Sequence, residues 1–236
     1  LAAGMAAAYP FMTGCGREAP APVTATEAET SIAAISLDGT PIELERAAIR
    51  ELGAASTGEI LLAGDAGYDS ARKIWNGMHD RRPALIARCV DHADVQHAVT
   101  FARERNLLVA VRGGGHSWPG LSVADGGLMI DLALQNSVTV DPARQRASAQ
   151  GGALLGHLDS ATLPQGLVTT AGVVSHTGVG GFTLGGGFGR LNRKFGLAVD
   201  NLVAADIVTA DGQFRTVSAA QEPDLFWALR GGGGNF

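Results

Sequence analysis

From Pro83 onward, hydrophobic and polar positions follow a regular alternation of strand-like and helix-like periods. Ala84–Val90 is a short continuous apolar run, the pattern of a buried strand. Asp91–Arg105 carries Val95, Ala98, Val99 and Ala102 at three- and four-residue spacing behind Asp91 or Asp94, so the pattern predicts a capped amphipathic helix. Leu107–Val111 reads as a second strand. Leu128–Leu132, Ser137–Val140 and Arg146–Gln150 are strand-like and separated by turns, one of them at Asp141-Pro142. Ala153–Thr162 reads as a helix. Leu202–Thr209 and Gln213–Val217 predict a hairpin turning at Asp211-Gly212, and Pro223–Leu229 predicts a final helix. Upstream, Glu43–Leu52 has helical amphipathicity, Ile60–Leu62 is strand-like, and Tyr68–Asn76 reads as a helix.

Glycine breaks this alternation at three places, 113–115, 178–189 and 231–234. With 33 glycines in 236 residues, the content is about twice the usual ~7% share. No three-residue period accompanies it, which excludes a collagen-like chain. The first cluster lies in Val111-Arg-Gly-Gly-Gly-His-Ser-Trp-Pro-Gly120. Successive glycine amides can converge on an anion, and the missing side chains let a ligand approach the backbone. Read alone, the segment is equally a tight surface turn whose His116 caps a neighbouring group. In the second cluster, Gly172–Gly189, no regular strand tolerates so many glycines. The pattern predicts a loop crossing a ligand, then a short helix near Leu191.

Composition narrows the chemistry. The apolar fraction is 46% and the net charge −5, with no basic run or basic–aromatic stripe, so a nucleic-acid-binding surface is not expected. Cys15 and Cys89 form no CxxC. The histidines (His79, His92, His97, His116, His157, His176) are scattered, so no metal site is expected. Cys89 reads as a buried strand thiol. A strict GxGxxG and a GxxxxGK[ST] are both absent, which weakens Rossmann dinucleotide binding and P-loop nucleotide binding. Residues 1–14 are small and apolar, too short to span a bilayer, and fit the core of a secretory leader. Met12-Thr13-Gly14-Cys15 is similar to a bacterial lipoprotein box, with Met12 departing from its usual first residue. An exported protein with a possible lipid anchor at Cys15 is the expectation. Residues 16–32 read as an Ala/Pro/Thr/Glu linker with too little apolar bulk to fold.

In order along the chain stand Tyr68-Asp-Ser-Ala-Arg72, Trp75-Asn76 with Arg82-Pro83, Val111–Gly120, Asp131-Leu132 and Gly178–Gly189. Lys194-Phe-Gly-Leu-Ala-Val-Asp-Asn-Leu202, Thr209-Ala-Asp-Gly212 and Leu225–Phe236 complete the set. Each is weak alone, but the ordered set resembles the flavin-linked oxidases with a p-cresol methylhydroxylase-type (PCMH-type) FAD-binding domain, in their berberine-bridge-enzyme-like branch. The resemblance implies an α+β fold of the vanillyl-alcohol-oxidase-like kind, two α+β subdomains with FAD between them. After the leader and linker read over 1–32, it implies a lead-in over 33–78, a first subdomain over 79–150 and a second over 151–236. The chain reads as a fragment lacking both ends, with the substrate domain beyond Phe236.

The resemblance also assigns residues. Arg112, Gly113, Gly114 and Gly115 would wrap the FAD pyrophosphate, with Ser117 and Gly120 in the same loop. Arg112 would pair with the phosphates or be spent on a structural ion pair; both stay open. His116 stands where the family's histidine bonds to the flavin 8α carbon. Gly172, Thr177, Gly178, Gly180 and Gly181 would line the flavin, and Val208 would lie near the adenine. A second link through cysteine, found in many members, is not expected, because Val174 occupies that position beside Ser175. His157 and His176 read as satisfied or exposed histidines.

The implied reaction is oxidation of an alcohol, sugar or amine-like small molecule, with O2 as acceptor. The catalytic base would lie beyond the chain, and none is named. Two other readings stay open, a flavin-binding module without turnover and an NAD(P)H-dependent reductase of the same FAD fold. His116 after the triple glycine speaks against the reductase.

Overall fold

The computed structural model describes residues 30–235. The leader-like run, Cys15 and most of the linker therefore lie outside the described residues. The first half runs β1 (Ser31–Ile35), β2 (Pro41–Glu45), α1 (Arg46–Ala55), β3 (Glu59–Leu62), α2 (Tyr68–Ala71), β4 (Leu85–Arg88), α3 (His92–Glu104), β5 (Val109–Arg112) and β6 (Leu128–Asp131). The second half runs β7 (Val138–Asp141), β8 (Arg146–Ala149), α4 (Leu155–Thr162), α5 (Val179–Leu184), α6 (Asn192–Phe195), β9 (Ala204–Val208), β10 (Phe214–Ser218) and α7 (Pro223–Leu229).

A four-stranded sheet of order β3-β4-β6-β5 organises the first half. β3 is antiparallel to β4, whereas β4 and β5 both run parallel to β6. The apolar runs of β4 and β6 are covered on both faces, as parallel strands require. Alternate side chains serve two different cores, because successive residues of a strand point to opposite faces. Leu85, Ala87, Leu128 and Ile130 join Ile49 and Leu52 of α1 and Ala98, Phe101 and Ala102 of α3. Ile86 and Met129 face the other way, onto Leu61, Tyr68, Ala71 and Val123.

α3 is the return path that lets β4 and β5 run parallel. Asp91 caps it by accepting from the Asp94 amide at 3.0 Å. Asp94 is 3% exposed and accepts from the Thr57, Gly58 and Val90 amides at 2.8, 3.0 and 2.9 Å. One carboxylate thus ties the start of α3 to the entry of β3 and the exit of β4.

The second half has its own core of Val217, Phe226 and Leu229. The β9–β10 hairpin turns at Asp211-Gly212 as the sequence predicts, with Gly212 at φ +79°. Its turn is bound to α3. Gln96 Nε2 donates to the Gly212 carbonyl at 2.9 Å, and Arg103 donates to the Asp211 carbonyl at 2.6 Å. The β7–β8 hairpin pairs as expected.

Four segments differ from the expectation. Ser31 and Ile32, read as linker, begin β1, which pairs along its length with β2. Glu43–Glu45 belong to β2 and not to a helix, because Ile42 and Leu44 alternate inward with period two before the helical spacing of Ile49 and Leu52 takes over. The helix expected over Tyr68–Asn76 stops at Ala71, where Arg72 turns inward, 6% exposed, to ion-pair with Asp69 and Asp80. Inside the second glycine block, Val179–Leu184 forms α5 where a continuous loop was expected.

Candidate cofactor site

The carboxyl ends of β4, β5 and β6 lie in register, placing Arg88 and Arg112 on either side of Asp131. In open α/β sheets, ligands gather outside these strand ends. Asp131 is 1% exposed and faces the Arg88 and Arg112 guanidinium groups at 3.6 and 3.7 Å. Arg112 also donates to the Ala71 carbonyl. Arg112 thus shares the Asp131 carboxylate with Arg88.

The first glycine loop leaves the sheet directly after Arg112 and runs against the second. A Cβ on Gly114 would lie 2.4 Å from the Gly178 nitrogen, and a Cβ on Gly178 would lie 2.5 Å from the Gly114 nitrogen. The two backbones therefore touch where neither residue can carry a side chain. A Cβ on Gly113 or on Gly180 would meet the Gly151 carbonyl oxygen at 2.9 or 3.2 Å, so the turn after β8 closes a third side. The second loop is stitched to the start of α4. Leu155 donates to the Thr177 carbonyl and Val179 to the Ala153 carbonyl, each at 2.8 Å.

The loop's amides are left free by this packing. Among the described residues, no protein acceptor takes the N–H groups of Gly113, Gly114, Gly115, His116 or Ser117. Five consecutive unpaired donors suit an anionic, phosphate-like group. The loop's far end is held by its neighbours. Trp75 donates to the Gly115 carbonyl at 3.0 Å, Asn76 to the Trp118 carbonyl at 2.9 Å, and Arg81 to the Gly120 carbonyl at 2.8 Å. Ser117 closes the turn through its hydroxyl, which accepts from Leu121 at 3.1 Å.

His116 lies within the free-amide run, directly after the three glycines. Its ring stacks on Trp75, with centroids 4.6 Å apart and planes 19° apart, and Trp118 lies beside Trp75 at 5.8 Å. Its Nε2 is 2.9 Å from Nδ1 of His176. Burial, and secondly the neighbouring His176, hold the His116 imidazole below its ordinary pKa, favouring the neutral ring. His176 is thus exposed and hydrogen-bonded, as the sequence reading has it, and its partner is His116. The only prior signal was its position beside Thr177 in a glycine motif. Trp75, Gly151 and Leu154 are further contributors that the candidate set omits, because chain-distant contacts bring them in.

The remaining candidates divide. Gly172 packs on Leu155 and Phe182, since a Cβ there would lie 3.0 and 3.1 Å from them. Gly181 faces open space on α5. Val208 sits on β9 opposite Phe214, in the hairpin bound to α3. Val174 and Ser175 occupy the turn before Thr177 and supply no thiol. His157 Nδ1 accepts from the Leu154 amide at 3.2 Å, a satisfied histidine as expected. Tyr68 is buried, its hydroxyl donating to the Pro83 carbonyl at 2.6 Å. Cys89 is buried as expected, its thiol pushed up to about 12 by burial.

Comparison with known proteins gives this geometry a context. A family model described as an FAD binding domain matches residues 83–218. (R)-6-hydroxynicotine oxidase of Paenarthrobacter nicotinovorans is 42% identical over 179 residues, covering 76% of this chain and 39% of that protein. The crystal structure of 6-hydroxy-D-nicotine oxidase from Arthrobacter nicotinovorans superposes with a TM-score of 0.75 at 41% identity, covering 77% of this chain and 40% of that one. Glucooligosaccharide oxidase from Acremonium strictum, studied for its 6-S-cysteinyl, 8α-N1-histidyl FAD, gives 0.74 at 36% identity, covering 80% and 40%. The chain thus spans about two fifths of the length of these relatives.

Proposed function

Because the chain belongs to the PCMH-type FAD-binding-domain family, among relatives of the berberine-bridge-enzyme-like oxidase group, we propose that it is the flavin-carrying part of an oxidase and bears FAD covalently through His116. The observation that carries this reading is the run of five acceptor-free amides from Gly113 to Ser117, which includes His116 with its stacked imidazole held below its ordinary pKa. Those amides would hold the diphosphate, and His116, braced by Trp75, would hold the ring system at its 8α position. Backbone donors need not carry net charge to bind an anion. That suits a loop whose neighbouring cation, Arg112, already faces the carboxylate of Asp131.

A bound flavin supplies the hydride acceptor for a small-molecule donor, while the protein supplies binding and orientation. Two relatives are named for a hydroxynicotine and for a glucooligosaccharide. We take an amine-like compound, a sugar or an alcohol as the donor class, with O2 as the acceptor. The tether would be single, since Val174 and Ser175 stand where a cysteinyl link would be needed.

The test is acid precipitation of the purified, FAD-treated chain. Yellow fluorescence should stay in the washed pellet of the wild type and leave with the supernatant in His116→Ala. A wild-type pellet without flavin overturns the covalent reading.

A further inference from the structure

The contact between His116 and His176 has a chemical consequence of its own. At 2.9 Å, the two imidazole nitrogens share one proton, one ring donating and the other accepting. The contact engages Nε2 of His116. Its Nδ1 meets no protein partner among the described residues. Trp75 stacks on the His116 ring and fixes its plane, while the His176 ring stands tilted 41° to it with centroids 4.8 Å apart. His176 is carried by the turn between Val174 and Gly178, whose backbone is bonded to α4 through Ser175 and Thr177. Both rings are therefore positioned before any ligand arrives.

Resting on the covalent reading above, we propose that His176 is a positioning residue and proton acceptor for the joining of His116 to the flavin. Nε2 of His116 donates to Nδ1 of His176, which leaves the Nδ1 lone pair of His116 free to form the C–N bond at the 8α carbon. In that reaction one proton leaves the 8α methyl and one leaves Nε2 of His116 for Nδ1 of His176. The electron pair released passes into the flavin ring system, and dioxygen removes it as hydrogen peroxide. The net change is loss of two hydrogens to dioxygen for one new C–N bond. Without His176, the attacking imidazole would have to give its proton to bulk water and would be free to present either nitrogen.

The experiment follows covalent incorporation in time. The chain, purified without flavin, is mixed with FAD in air, and the flavin adduct is read by intact mass and by pellet fluorescence. Reversible FAD affinity is measured separately at early times. Once FAD is bound at saturation, His176→Ala should form the adduct about a hundredfold more slowly than wild type, the size expected when a positioned base is lost. Added imidazole should restore much of the rate, which a purely structural role for His176 would not allow. His176→Gln keeps a hydrogen-bond acceptor but not a base. It should also be slow and also respond to imidazole, and it decides the matter if His176→Ala does not fold. Wild-type rates in either folded variant overturn the proposal while leaving the His116 link standing, and so does slow incorporation that imidazole does not accelerate. No adduct in the wild type removes the link itself, and this proposal with it.

Discussion

At Gly114 and Gly178 the fold has room for hydrogen and for nothing larger. A methyl at either position would enter the opposing backbone by more than half an ångström relative to any ordinary contact. Overpacking of this kind costs roughly 1–3 kcal/mol, and here the strain falls on the loops that would hold the diphosphate. Gly114→Ala should weaken FAD binding by about tenfold to a hundredfold, measured by titration. Gly181→Ala, which meets open space, should leave the fold unchanged. His116 gives a pH signature. Its pKa is depressed in the fold, so the unfolded chain takes up this proton at higher pH than the folded one. Its contribution to stability is complete above the ordinary imidazole value of 6.5 and is lost as pH falls through the lower folded-state value. The drop in unfolding free energy as pH falls below 6.5 should be smaller in His116→Ala than in the wild type. Cys89 should resist thiol reagents until the chain unfolds, since only the thiolate reacts and burial keeps the thiol protonated.

At the scale of elements, Asp94 is the joint of the first half. It lies in the first turn of α3 yet accepts from three amides outside that helix, around β3 and β4. Asp94→Ala would leave these part-buried donors without acceptors, costing about 3 kcal/mol or more, readable in denaturant unfolding. The same substitution should loosen the return path between β4 and β5, and with it the strand end from which the glycine loop departs. Aspartate at this position was legible as a possible cap for α3. Its long-range bonds to Thr57 and Gly58 were not, because they join residues 36 and 37 positions apart.

At the scale of the whole molecule, the site is made by the two halves together. Gly113–His116 come from the first half, and Gly151, Leu154, His176 and Gly178 from the second. A ligand bound at this seam stabilises the folded pair by mass action, about 2.7 kcal/mol at a hundredfold excess over Kd. FAD should therefore raise the thermal midpoint of the wild type and shift Gly114→Ala much less at the same concentration. Trp118, Val173 and Phe188 are 70%, 72% and 78% exposed around or near these loops. That apolar surface should make the chain prone to association, measurable by light scattering.

Local periodicity determined most of the elements. The buried runs of β4 and β6, the capped helix α3, the Asp211-Gly212 hairpin and α7 are all dictated by residues close in the chain. The same local chemistry marked His116 and the triple glycine, and their order among other motifs pointed to FAD. Tertiary structure decided what those residues meet. That Arg112 faces Asp131, that Gly114 must be bare because Gly178 crosses it, and that His116 faces His176 across 2.9 Å all depend on segments far apart in the chain. A sequence displays the conformations each residue permits, but the partner of a buried charge, a close backbone crossing or a shared proton exists only once the chain has packed.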